Sequence, residues 1–152
     1  MSDLLVVYDI EVEIDVSAAD VSTPSWARLG AGFNNLSEAL NEVVQQYFEL
    51  NNGGFASNYV TGMAPVYTMT GVRMIGDAAQ DYIFDPDRKY GLLKKRNTTL
   101  RIKRLDSAAK IVTVTCPVTL ANLSDTVGAT TDGSAISCEL RFNGKPTVET
   151  AK

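Results

Sequence analysis

Asp77 and Asp81 stand four residues apart at the start of a short helical pattern, a spacing that puts two carboxylates on one helix face. Paired carboxylates are the tools of general acid–base chemistry. Asp77, however, follows Gly76 and precedes Ala78-Ala79-Gln80, the position of an N-cap aspartate. It reads as the cap, and Asp81 as a surface carboxylate or the partner of an arginine. Lys89, Lys94, Lys95, Arg96, Arg101, Lys103 and Arg104 form a basic cluster. Nucleic-acid grooves interleave such bases with aromatics, and here Tyr90 stands alone, so the cluster reads as a solvated face or as a surface that meets a neighbour's acids. Asp9, Glu11, Glu13 and Asp15 alternate along one strand face. Their spacing of about 7 Å is too wide for two of them to chelate one small ion unaided. They read as a solvated face that discourages edge pairing, with a phosphate-repelling wall or a metal site as the sharper alternatives. Gly30-Ala31-Gly32-Phe33 is too short for a phosphate loop and lacks its lysine. Cys116 and Cys138 fall in different predicted strands and read as small buried apolar residues, with a disulfide or redox role as the alternative. The chain has no histidine, which removes Ser-His-Asp and Cys-His catalysis and His-ligated zinc. No catalytic residue, metal or cofactor is predicted, and the expectation is that the protein is not an enzyme.

The elements that would carry these residues fit a single domain of 152 residues with a net charge of −4. A mildly acidic chain is a poor tight binder of nucleic acid. No apolar run is long enough to span a bilayer, and the first residues lack the basic region and cleavage site of a signal peptide. A reducing cytosol is the expected place of synthesis.

Period-two alternation dominates. Leu4 to Val16 reads as one half-buried strand, and Val66 to Met74 as another, with Val66, Thr68, Thr70 and Val72 on one face. Ser17 to Ser25 reads as loop and Trp26 to Gly30 as a short strand, with Trp26 a core or interface anchor. After Gly76, residues 77–84 predict one short capped helix with Ala78, Tyr82, Ala79 and Ile83 inward, stopped at Pro86. Phe84 to Asn97 reads as a basic connection pinned by Leu92 and Leu93. Strands are expected at 98–105, 109–120 and 134–142, with a tight connection at 106–108. Pro117 cannot donate to a ladder and predicts an edge or a bulge. Residues 144–152 read as a flexible tail or a short docking arm. The hardest stretch is 34–50: Leu36, Leu40, Val43, Val44, Tyr47 and Phe48 fit a helix stripe, yet Val44, Phe48 and Leu50 also share a strand face before the Asn51-Asn52-Gly53-Gly54 turn. Residues 51–62 form a long polar loop bearing Phe55 and Tyr59, either free to contact a neighbour or folded over its own sheet. The fold class is mainly β, an antiparallel sandwich or barrel with one short flanking helix.

The string Gly62-Met63-Ala64-Pro65 to Phe84, with Asn41–Ser57 before it, resembles the tail tube (major tail) proteins of long-tailed bacteriophages and related phage-tail-like particles. The resemblance covers roughly Trp26 to Phe84. It implies a tail-tube-like β domain that assembles with copies of itself into stacked, typically hexameric rings, through which DNA passes as cargo. It also implies tape-measure, terminator and initiator proteins as partners, a place in the virion tail, synthesis in the host bacterial cytoplasm, and a loop or helical turn at 36–41 followed by a strand over 42–50. Subunit-contact candidates are Phe55, Asn58, Tyr59, Asp77, Asp81, Lys94, Lys95 and Arg96. Lumen candidates on polar strand faces are Gln45, Glu49, Thr68, Thr70, Ser137 and Glu139. The alternatives are a monomeric β-sandwich binding module, carbohydrate-binding for instance, and the inner tube of a contractile bacteriocin.

Overall fold

Most of the alternating stretches form antiparallel strands. The computed structural model describes residues 4–18, 21–107 and 110–151. The elements are β1 (Glu11–Asp15), β2 (Trp26–Arg28), β3 (Phe33–Ala39), β4 (Val43–Phe48), β5 (Ala56–Gly62), β6 (Val66–Val72), α1 (Ala78–Ile83), α2 (Pro86–Lys89), β7 (Asn97–Ser107), β8 (Lys110–Ser124), β9 (Ala135–Phe142) and β10 (Thr147–Ala151). One sheet runs β2-β1-β7-β8-β9-β6-β3, with β10 also on β8, and β4 and β5 pair only with each other. Inward residues from both halves of that sheet meet in one cluster. It holds Ile14 of β1, Leu100 of β7, Leu120 of β8, Leu140 of β9 and Met69 of β6, with Ala79, Ile83 and Phe84 from α1 and its end. Only a twisted, curling sheet brings such distant strands to one core. The result is a half-closed barrel with α1 packed into it.

Gln80 explains how α1 is held. It is fully buried. Its amide donates to the Ala31 oxygen (2.8 Å) and the Val72 oxygen (3.1 Å) and accepts from the Met74 N–H (2.7 Å). One side chain therefore ties the helix to the start of β3 and the end of β6. The backbones there approach too closely for a side chain: a Cβ on Gly71 would lie 1.9 Å from the Gly32 oxygen, and Gly32 itself has φ +80°.

β8 is long because it serves two partners in succession. Its residues 111–115 pair with β10, and 118–124 with β9. Pro117 sits between the two ladders, and its oxygen accepts from the Asn143 N–H at 2.8 Å. The proline thus lies in an interior strand, and its missing donor falls where β8 changes partner. That replaces the expected edge or bulge.

Several expectations need correction. Leu4 to Val16 is not one strand: a 3-10 turn at Val7–Asp9 interrupts it, and Leu4 and Tyr8 are exposed. Of residues 36–41, read as a loop or helical turn, 36–39 belong to strand β3 (Phe33–Ala39), paired with β6, and only Leu40 and Asn41 lie outside a strand. Val43–Phe48 is strand, as the resemblance implied for 42–50, and the alternative helix is not formed. The polar loop at 51–62 shrinks to a short turn, because Ala56–Gly62 is β5. Two short α-helices instead of one are present among the described residues. Pro86 does end α1, but it also opens α2 behind the Asp85 cap. Ala78 is exposed and Gln80 takes its place inside. Leu92 and Leu93 do not pin the connection down, as both project outward. The end read as a tail or docking arm is strand β10 over Thr147–Ala151. The tight connection at 106–108 lies partly outside the described residues, as do Ala109, part of the 17–25 loop and residues 1–3. No helix among the described residues is long and apolar enough to cross a membrane.

Candidate assembly interface

β3 and β6 continue past the barrel end as β4 and β5, so the chain carries a two-stranded ribbon that leaves the sheet. The bend is built by Asn41, a non-glycine residue at φ 49°. Its side chain donates to the Ala64 oxygen (2.9 Å), and the Ala64 N–H donates to the Leu40 oxygen (2.9 Å). Asparagine tolerates this left-handed conformation better than most residues. Every residue of β4 is exposed. One ribbon face carries Gln45, Tyr47 and Tyr59, the two rings edge to face at 5.8 Å. The other carries Val44, Val60, Phe48 and Asn58. At the tip, Phe48, Leu50 and Phe55 are 71%, 108% and 78% exposed. A lone two-stranded hairpin is marginal in water, and apolar groups on both its faces mark a surface meant to be covered. Phe55, Asn58 and Tyr59 of the contact candidates therefore come together here, and the ribbon does not fold over its own sheet.

The remaining contact candidates are partly spent inside the chain. Asp77 caps α1 by accepting from the Gln80 N–H (3.1 Å). Asp81 pairs with Arg73 at 2.9 Å and accepts from the Gly76 N–H. The Arg73 bond holds its carboxyl below the usual value. Arg96 donates to the oxygens of Gly91 (3.2 Å), Leu120 (3.1 Å) and Lys89, so it fastens a turn. Lys95 pairs with Asp87 at 2.9 Å, both exposed, and Lys94 is exposed. The half-buried pair Lys89–Asp125 lowers the Asp125 pKa and raises that of Lys89, chiefly through their hydrogen bond.

The acidic face of β1 also finds its partners at home. Arg101 binds the Glu13 carboxylate through two nitrogens and covers the Trp26 ring at 4.2 Å. Lys103 reaches Glu13 at 4.0 Å and Arg28 reaches Glu11 at 3.9 Å. Cross-strand register makes the first pair, because Glu13 lies directly opposite Arg101, while Lys103 and Arg28 reach their glutamates on the diagonal. Arg101 and Lys103 of β7 thus both meet Glu13 of β1 within one chain.

Four lumen candidates share one surface. Thr68 lies opposite Glu139 and Thr70 opposite Ser137, on the face of β6 and β9 that points away from the core. Asn35 and Ser37 of β3 extend this polar strip. Glu139 accepts from Asn122 (2.6 Å) and Arg141 (2.8 Å), and both lower its pKa, Asn122 more. Gln45 and Glu49 do not join it, since they ride on the ribbon, where Tyr59 donates to Glu49 (3.2 Å). Cys116 and Cys138 are free and buried, and burial pushes the Cys138 thiol up to about 12. Sequence reasoning missed the roles of Gln80 and Asn41 and placed Leu93 inward where it projects outward. Asn41 and Leu93 have positive φ, which side-chain pattern does not encode.

No family model and no curated protein matches this sequence. Solved structures do. A chain of the tail of an empty gene transfer agent particle, refined with C6 symmetry, superposes with a TM-score of 0.69 at 11% identity, covering 96% of this chain and 99% of that one. The SPP1 tail tube protein gives 0.68 at 11% identity, over 97% and 80%. A chain of the anti-feeding prophage baseplate gives 0.54 at 13%, over 99% and 97%. The chain has the fold of the SPP1 tail tube protein and of this gene-transfer-agent tail chain.

Proposed function

We propose that this protein is a structural subunit, not an enzyme, and that copies of it assemble into stacked rings that form a phage tail tube. The observation that carries the reading is the ribbon of β4 and β5, apolar on both faces and standing off a barrel of the tail-tube fold. The C6 symmetry of the similar gene transfer agent tail supports six subunits per ring. In this reading the ribbon reaches a neighbouring subunit, with Phe55, Asn58 and Tyr59 in the contact. The free edges of β2 and β3 are closed by ring formation. Head-to-tail stacking then extends the rings into an open filament. Thr68, Thr70, Ser137 and Glu139 face the lumen. Small hydroxyls and a carboxylate held below its usual pKa give a wall that lets DNA slide, because Arg141, the base beside them on β9, is already paired with Glu139. The protein then belongs to the virion tail, with tape-measure, terminator and initiator proteins as its other partners.

The test is negative-stain electron microscopy beside size-exclusion chromatography, from dilute to concentrated protein. Rings or tubes with a central channel are expected. A chain that remains a 16.4 kDa monomer at every concentration and in cells producing complete particles overturns the reading. The likeness to the anti-feeding prophage baseplate chain supports a phage-tail-like particle as a second setting for the same tube. Genes for a sheath beside this one would decide for it.

A further inference from the structure

The turn between α2 and β7 is built to hold two leucines outward. Leu92 and Leu93 are 80% and 87% exposed, and Leu93 has φ 58°. A branched residue in that region is strained, and such strain persists only where the surroundings enforce it. Here Arg96 enforces it by gripping the oxygens of Lys89, Gly91 and Leu120. The turn is also packed tightly at Gly91, where a Cβ would lie 2.6 Å from the Asp87 oxygen. Beside the leucines an open groove of about 1020 Å³ runs between residues 91–97 and Thr119–Asn122 of β8.

Charge says what fits there. Residues 86–97 hold five bases, Arg88, Lys89, Lys94, Lys95 and Arg96, against one acid, Asp87. Lys94 makes no ion pair among the described residues. The stretch from Leu29 to Val72, which includes the whole ribbon, holds three acids, Glu38, Glu42 and Glu49, and no base. The two surfaces are opposite in sign, and each displays large apolar side chains with no intrachain cover. We propose that the ribbon tip of a second copy of this chain seats in this groove, with Phe48 and Phe55 against Leu92 and Leu93 and Glu49 near Lys94. The contact is head-to-tail, because groove and ribbon are different patches. It rests on the tube reading and names where the ribbon binds.

Variants that each add one cysteine, Phe55→Cys and Leu92→Cys, are mixed under mild oxidant, with Val127→Cys replacing Leu92→Cys as control. The native thiols are buried and stay out of the reaction. A linked dimer from the first mixture, at least tenfold above the control, is expected. Beside it, Glu49→Lys and Lys94→Glu should each slow assembly about tenfold, and the two variants mixed should recover part of the rate. Tubes from wild-type protein with no excess linkage overturn the groove assignment and leave the tube reading standing. Excess linkage of Leu92→Cys with Tyr8→Cys instead assigns the groove to the N-terminal segment and overturns the proposal. Absence of both tubes and linkage removes the two together.

Discussion

Replacing Gln80 by leucine removes the tie between α1 and the sheet while keeping a side chain of similar size. Three well-formed hydrogen bonds vanish, to Met74, Ala31 and Val72, together with a longer one from Arg73 at 3.4 Å. The groups left behind are partly buried, so each bond is worth about 1 kcal/mol, near the low end of the cost of an unmet donor or acceptor. The sum is about 3 kcal/mol, a large share of the 5–15 kcal/mol that domains typically possess. With a urea slope of about 1.5–2 kcal/mol/M, the unfolding midpoint should fall by roughly 1.5–2 M. Trp26, half-buried under the Arg101 guanidinium, is the fluorescence probe. A midpoint shift below about 0.5 M at unchanged slope would show that Gln80 does not anchor the helix. Gln80→Glu sharpens the test. It aims a carboxylate oxygen at the Ala31 and Val72 carbonyls in place of the amide donor, and Arg73 offsets part of the repulsion. The folded-state pKa of that glutamate should rise above its unfolded value of about 4.3. The variant should then lose stability relative to wild type as pH rises through and above that value, and recover it below. A loss that is flat between pH 4 and pH 7 would contradict the geometry.

Other perturbations probe separate parts of the chain. Gly71→Ala places a Cβ 1.9 Å from the Gly32 oxygen, so it should cost roughly 3 kcal/mol or more, seen as a large fall in melting temperature. Phe48→Ser with Phe55→Ser should leave monomer stability nearly unchanged, since both side chains are exposed, yet abolish tubes in electron micrographs. The Lys89–Asp125 pair holds the Asp125 carboxyl below 3.8. Its contribution is present near neutrality and is lost as pH falls through that depressed value, so Asp125→Asn should flatten the acid limb of a stability–pH curve. Cys138, with its thiol pushed up to about 12 by burial, should resist alkylation at pH 8 until denaturant is added.

Local rules made much of the fold legible. The Asp77 cap and the inward set Ile136, Cys138 and Leu140 follow from short-range geometry, and each stands where the alternation places it. Locally, 34–50 fits two periods at once. Pairing with residues 56–72 decides between them, and those partners lie a whole ribbon away. The Lys94–Arg96 run looks uniform in sequence, but Arg96 is consumed by backbone oxygens from three places.

The amino-acid sequence by itself determined the β class, the inward faces of β1, β7, β8 and β9, the helix cap at Asp77, the absence of histidine chemistry and the resemblance to tail tube proteins. All of these rest on residue type or on spacing within a few positions. Tertiary structure alone decided that β4 and β5 leave the sheet, that β1 acids meet β7 bases within one chain, and that Pro117 falls between two ladders. The physical reason is that exposure and cross-strand register depend on which strands meet, and distant strands meet only when the whole sheet curls around its core.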